Sequence, residues 1–256
     1  RVGESPLALD GGRYAMDLDA LAAQLDGSER MVILCSPHNP GGRVWSEAEL
    51  RAVGAFCVEH DLLLLSDEVH MDLVYPGSRH HMTALAVPRI EDRLITLYGP
   101  AKTFGTNGAL NGQILIQDEA MRIKVAHALS AAGLGLNRLS AMVTTAALAH
   151  GAEWVDALVA YLDQNRRMFV DRVNALPGVT CMPLDSTYLA WVDFSGTGMA
   201  REEFTRRVKQ EARIAVNEGP AFGLGGETWL RFNLGTRRSI VADALERLED
   251  AFADLQ

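Results

Sequence analysis

Lys102, in the run Leu97-Tyr98-Gly99-Pro100-Ala101-Lys102-Thr103-Phe104, and Asp67, in Leu62-Leu63-Leu64-Leu65-Ser66-Asp67-Glu68-Val69-His70, are the residues whose types and spacing promise chemistry. Each lies just past an apolar run that reads as a buried parallel strand. Ligands of open α/β sheets bind beyond the carboxyl ends of such strands. An amine and a carboxylate at that edge suit pyridoxal 5'-phosphate (PLP), which needs a lysine for its Schiff base and an acidic partner for its pyridinium nitrogen. Asp67 would hold the ring nitrogen protonated. Lys102, once displaced by substrate, is placed to move the substrate Cα proton as a general base. Asn39, past the preceding strand, can donate its amide hydrogen to the ring oxygen. His70 could share that role or orient Asp67. Arg231, in Trp229-Leu230-Arg231-Phe232-Asn233, could hold a substrate carboxylate bidentately.

Each residue has a duller explanation when taken alone. A lysine after a strand is usually solvated, and an aspartate at a strand end is commonly a cap or turn residue. Asn39-Pro40-Gly41-Gly42 is by itself a turn, and Arg231 by itself an ion-pair residue. His80-His81 reads as a loop rather than a metal site, and His38 as structural. The order of the residues, at successive strand ends, is what raises the catalytic reading.

The elements that must position them alternate strand and helix through the first half, the pattern of a βαβ sheet. Met31–Cys35 is a strand ending in a turn-rich stretch. Ser46 and Glu49 form a capping box, so a helix starts near Glu47 with Leu50, Val53 and Cys57 as its core face. Strands follow at Asp61–Ser66, Leu94–Tyr98 and Gln113–Ile116. The second half mixes types: a long helix over Glu153–Leu176, strands at Val179–Met182 and Tyr188–Val192 in a hairpin-like arrangement, a helix over Ala200–Ala212, a strand at Trp229–Leu234 and a final helix over Ser239–Leu255. The expected architecture is α/β: a large domain with a mostly parallel sheet flanked by helices, over residues 1–150, and a smaller α+β domain over 151–256.

At 256 residues and 48% hydrophobic, the chain is long enough to bury a substantial core. Its net charge of −9 argues against nucleic acid or an anionic membrane surface as partner. No apolar run approaches the length of a membrane span. Cys35, Cys57 and Cys181 are widely spaced and form no C-x-x-C, so the reading is reduced thiols, a cytoplasmic location and no metal. The chain opens on Arg1 rather than methionine, which suggests a processed or shortened product.

The motifs resemble those of the fold-type I PLP enzymes, the aspartate aminotransferase superfamily. The branch they look most like is that of the cystathionine β-lyases and related C–S lyases (the MalY/PatB type). The carrying segments are Ser36-Pro37-His38-Asn39-Pro40-Gly41-Gly42-Arg43-Val44-Trp45, Ser66-Asp67-Glu68-Val69-His70-Met71-Asp72-Leu73-Val74-Tyr75 and Ala101-Lys102-Thr103-Phe104. Thr187-Tyr188-Leu189-Ala190-Trp191 and Leu230-Arg231-Phe232-Asn233 extend the match across nearly the whole chain. The resemblance implies Lys102 as Schiff-base lysine, Asp67 as pyridinium partner, Asn39 on the ring oxygen and Arg231 on the substrate α-carboxylate. His70, three positions after the aspartate, favours the lyase branch. It also implies a homodimer with sites at the subunit interface.

Three departures stand out. Gly41 replaces a usual threonine. Gly99 and Ala101 stand where phosphate-binding serines are expected, and Leu110 where a polar or basic residue is common. The resemblance further implies an additional segment before Arg1, with the helix whose N-terminus cradles the phosphate and an aromatic that stacks on the ring. The expected function is a PLP-dependent C–S β-lyase that eliminates a thiol from an L-amino acid, giving pyruvate and ammonia through a Lys102 Schiff base. The alternatives are a class I/II aminotransferase and a catalytically incompetent homologue acting as a binding module. No G-x-S-x-G elbow supports a doubly wound hydrolase.

Overall fold

The two glycines of Asp10-Gly11-Gly12-Arg13 have φ of 53° and 79°, as a two-residue hairpin turn requires. They join β1 (Ala8–Asp10) to β2 (Arg13–Ala15). The computed structural model describes residues 2–109 and 111–255, so Leu110 lies outside the described residues. In chain order the next elements are α1 (Leu18–Ala22), β3 (Met31–Cys35), α2 (Glu47–Glu59), β4 (Leu63–Asp67), α3 (Thr83–Ala86), β5 (Leu94–Tyr98), α4 (Pro100–Phe104) and β6 (Gln113–Leu115). Three helices follow, α5 (Glu119–Ala131), α6 (Arg138–His150) and α7 (Ala152–Val173). The rest comprises β7 (Thr180–Cys181), β8 (Leu189–Asp193), α8 (Arg201–Arg206), β9 (Asn217–Glu218), β10 (Trp229–Asn233) and α9 (Arg238–Ala251).

The chain divides into two compact units: residues 18–38 with 44–158, and residues 1–17 with 39–43 and 159–256. In the first, the sheet order is β3-β4-β5-β6, with β3, β4 and β5 parallel and β6 antiparallel to β5. β6 pairs with β5 through Thr96–Leu115, Leu97–Ile114 and Tyr98–Gln113, and runs opposite to the three parallel strands. The capping box is present: Ser46 N–H donates to Glu49 at 2.8 Å and Glu49 N–H to Ser46 Oγ at 3.2 Å. Leu50, Val53 and Cys57 of α2 are buried, the stripe that amphipathic spacing demands. β4 alternates, with Leu64 and Ser66 fully buried and Leu63, Leu65 and Asp67 half-buried.

The second unit carries the antiparallel sheet β7-β8-β10-β9. Its core stacks Trp191 on Trp229 at 5.5 Å between ring centroids, joined by buried Met182. Phe169 of α7 meets Phe232 of β10 at 5.3 Å, and Arg172 of α7 grips Glu249 of α9 through two bonds of 2.6 and 2.5 Å. The hairpin joins this unit because Tyr14 packs against that core and its hydroxyl accepts from the Trp191 indole at 3.0 Å. The 39–43 turn joins it because Asp185 N–H and Ser186 N–H both donate to the Gly42 carbonyl at 2.9 Å.

Several elements differ from the sequence expectation. The β1–β2 hairpin, α5 and α6 fall in stretches that the hydrophobic pattern leaves unassigned, and α5 buries no residue at all, so no apolar stripe announces it. The helix expected over Ala200–Ala212 changes to a π-helical turn over Arg207–Glu211. The strand expected from Asp61 begins at Leu63, because Asp61 sits in a turn at φ 52°.

Candidate active site

The pairing of β4 with β5 sets Asp67 opposite Leu97, so both strands leave the sheet at the same edge. Asp67 ends β4, and its Oδ1 accepts the Val69 amide at 3.3 Å, which turns the carboxylate over the following bend. His70 lies in that bend, 3% exposed. Two residues past β5 the chain enters α4, with Gly99 as N-cap and Pro100 at the first helical position, where proline's fixed φ suits helix entry. Lys102 is the third of the five residues of α4. Half-buried, its amine makes no hydrogen bond or ion pair among the described residues.

The other unit gathers a second set. Arg231, on β10 opposite Asn217 of β9, donates from Nη1 to Asn39 Oδ1 and from Nη2 to Asn217 Oδ1, both at 2.8 Å. Its guanidinium carbon lies 4.7 Å from the centroid of the Phe222 ring. Burial lowers its pKa, while the charge of Tyr188 acts in the opposite direction. A guanidinium held by two amide oxygens and one ring face is aimed, as recognition of a carboxylate requires. The structure thus groups the five expected residues as three and two: Asp67, His70 and Lys102 at one sheet edge, Asn39 with Arg231 in the other unit.

The model of the family described as aminotransferase class I and II matches residues 9–248. The chain belongs to the class I and II aminotransferase family. Among relatives of this family it is 34% identical over 252 residues to the cystathionine beta-lyase PatB of Bacillus subtilis, covering 97% of this chain and 65% of that protein. The crystal structure of cystalysin from Treponema denticola, which contains a pyridoxal 5'-phosphate cofactor, superposes with a TM-score of 0.92 at 30% identity, over 98% of this chain and 64% of that one. The aromatic aminotransferase from Pyrococcus horikoshii OT3 superposes with a TM-score of 0.85 at 26% identity, over 94% and 64%. The chain spans about two thirds of the length of these family members. The family fold is the PLP-dependent one that the motifs resemble.

Sequence reasoning missed two groups around the first set. Glu68, fully buried beside Asp67, accepts from Ser66 Oγ at 2.9 Å and Thr83 N–H at 3.0 Å, and pairs with His80 Nε2 at 2.9 Å. Burial alone would raise the Glu68 carboxyl, but the bond and charge of His80 and the Thr83 bonds outweigh it and hold the pKa below its ordinary value. His80 lies in a loop, as the sequence suggests, but its side chain is only 6% exposed. Asp72 accepts from Thr103 Oγ1 at 2.8 Å and from the Tyr98 hydroxyl at 3.2 Å. Asp72 stands two residues after His70, in a stretch with neither helical nor strand period, so only its proximity to His70 could have marked it.

The cysteines hold no reactive thiolate in two of three cases. Burial pushes Cys57 up to about 11 and Cys181 up to about 12, against the smaller opposing charges of Arg93 and Arg166. His38 packs edge-on against Trp45 at 5.8 Å. Among the described residues, no three His, Cys, Asp or Glu side chains gather as a metal ion would need, and no helix is long and apolar enough to cross a membrane.

Proposed function

We propose that the protein of which this chain is part is a PLP-dependent carbon–sulfur β-lyase acting on a small L-amino acid with a thiol or thioether at Cβ. The observation that carries the reading is the placement of Lys102 on α4, at the edge where Asp67 ends the neighbouring parallel strand. A half-buried amine, a carboxylate and an imidazole at one strand edge fit a cationic aromatic aldehyde at its ring end. The phosphate end is served less well, since Gly99, Pro100 and Ala101 bring no hydroxyl and that of Thr103 is engaged by Asp72.

Bound there, the cofactor supplies an electron sink for negative charge at the substrate Cα. Asp67 would keep a proton on the pyridine nitrogen. By the family likeness, His70 would orient the Asp67 bend and Asn39 would contact the ring oxygen. Arg231 would, by the same likeness, hold the substrate α-carboxylate. Lys102 would hold the cofactor through Nζ and, when that amine is free, would take the substrate Cα proton as a general base. With the cofactor bound, that proton would pass to sulfur as the Cβ–S bond breaks, and addition of water to the remaining carbon skeleton would give pyruvate and ammonium. Residues 1–150 serve as the cofactor-binding domain and 151–256 as the small domain in this reading, within a cytoplasmic homodimer. Three free cysteines agree with a reducing compartment.

Adding PLP to the purified protein, trapping with borohydride and mapping the modified peptide tests the site. A pyridoxyl group on Lys102, absent in Lys102→Ala, supports it; a folded protein without the adduct rejects it. Release of pyruvate without an added keto acid then supports the lyase. Release only with a keto acid supports the second reading, an aminotransferase, which the superposition on an aminotransferase favours. A third reading, a binding module without catalysis, draws on the missing hydroxyls at Gly99 and Ala101 and predicts neither product.

A further inference from the structure

α4 holds five residues and has no side-chain bond at its N-terminus. A helix of one turn has too few internal bonds to hold its own direction, so whatever aims Lys102 must come from outside it. Phe104 supplies one anchor. It stacks on Trp154 at 5.9 Å, and Gly151 approaches it so closely that a Cβ there would stand 2.2 Å from its ring. Ring stacking fixes position better than direction, because it lets a short helix rotate about the contact. The directional bonds come from Asp72.

Asp72 rides on a well-held base. Met71 N–H donates to the Glu68 carbonyl and Leu73 N–H to that of His70, both at 3.0 Å. Leu73 and Tyr75 are 2% and 3% exposed. From this base one oxygen, Oδ2, receives both Thr103 Oγ1, the residue next to Lys102, and the hydroxyl of Tyr98, the last residue of β5. Thr103 is 1% exposed, so its hydroxyl has no competing solvent. Burial, with the charge and bond of Asp72, raises the Tyr98 phenol to about 12, which keeps it a donor throughout the neutral range.

We propose that Asp72 is a positioning residue for Lys102, its carboxylate tying the lysine-bearing turn and the end of β5 to the bend that carries Asp67 and His70. The inference rests on the reading of Lys102 as the cofactor-binding amine. Through this tie the segments carrying the amine and the carboxylate move together, and the distance between them is set by charge-assisted bonds rather than by loop stiffness.

The test compares Asp72→Ala, Asp72→Asn and Thr103→Val in the whole protein. Amide hydrogen exchange over residues 101–105 is read without cofactor, and the pH midpoint of the visible band after PLP addition is read with it. Loss of one such bond should speed exchange of that turn about tenfold while α2 and β4 stay protected. It should also move the band's midpoint by about one pH unit. Thr103→Val, nearly isosteric, should reproduce the signature of Asp72→Ala, and Asp72→Asn, which keeps an acceptor, should recover most of the protection. Wild-type exchange and midpoint in Asp72→Ala or Thr103→Val would overturn the proposal. A wild-type protein that forms no band would overturn the cofactor reading instead, and the exchange comparison would still decide whether Asp72 holds the turn.

Discussion

Arg231 shows how much of a side chain's competence comes from its neighbours. A guanidinium on a strand is commonplace, but one whose Nη atoms are pinned by Asn39 and Asn217 over the Phe222 face presents a fixed fork. Arg231→Lys keeps the charge and loses the fork. On the proposed lyase reading it should raise the KM for the amino-acid substrate about 10- to 100-fold, the value of one charge-assisted bond, with a smaller change in kcat; steady-state kinetics checks the split. The Glu68–His80 pair makes the opposite case, a buried charge whose partner is indispensable. His80→Ala leaves the Glu68 carboxylate with no histidine and no solvent, and should destabilise the fold by about 3 kcal/mol. His80→Gln, which can still donate, should recover part of that in urea unfolding.

At the scale of elements, close backbone approach controls where Arg231 stands. A Cβ on Gly219 would lie 1.8 Å from the Gly226 carbonyl oxygen, and one on Gly226 would lie 2.3 Å from that of Gly219. The two glycines let the segment after β9 cross the segment before β10, which brings Asn217 opposite Arg231. Gly219→Ala should force these backbones apart and destabilise the protein by about 1–3 kcal/mol, seen as a lower thermal midpoint together with weakened substrate binding. Other elements were legible from local signals. The Ser46–Glu49 box placed the start of α2, and the apolar runs placed β3, β4 and β5 within two residues, because capping and strand burial depend on a few adjacent side chains. α5 and α6 also carry caps, Asp118 and Asn137, but their faces bury so little that periodicity is faint. The register of β4 on β5, which sets Asp67 opposite Leu97, depends on pairing between distant segments and is not written in either strand alone.

For the molecule as a whole, several carboxyls are titrated by the fold itself. Glu68 is held below its ordinary 4.5 by His80 and Thr83 against its own burial. The Arg172 bond holds Glu249 below 4.5. Asp163, which burial would raise, is held below 3.8 by Arg166 and Arg167. A carboxyl whose folded pKa is depressed adds stability that is complete above its ordinary pKa and disappears as pH falls through the folded value. The thermal midpoint should therefore be flat above about pH 5 and fall steadily below about pH 4.5; a midpoint unchanged down to pH 3 would contradict these pairings. Neither the pairings nor the division into units appears in chain order, since residues 1–17 and 39–43 join the unit of 159–256. Local chemistry was enough to mark Lys102, Asp67, His70, Asn39 and Arg231 as candidates and to foretell the α/β class, because residue type, spacing and apolar runs are properties of neighbouring residues. The bonds that aim those side chains, Asp72 to Thr103, Glu68 to His80 and Asn39 to Arg231, join residues 12 to 192 positions apart. Only folding supplies them, because such a bond exists only once the intervening chain has closed a loop around it.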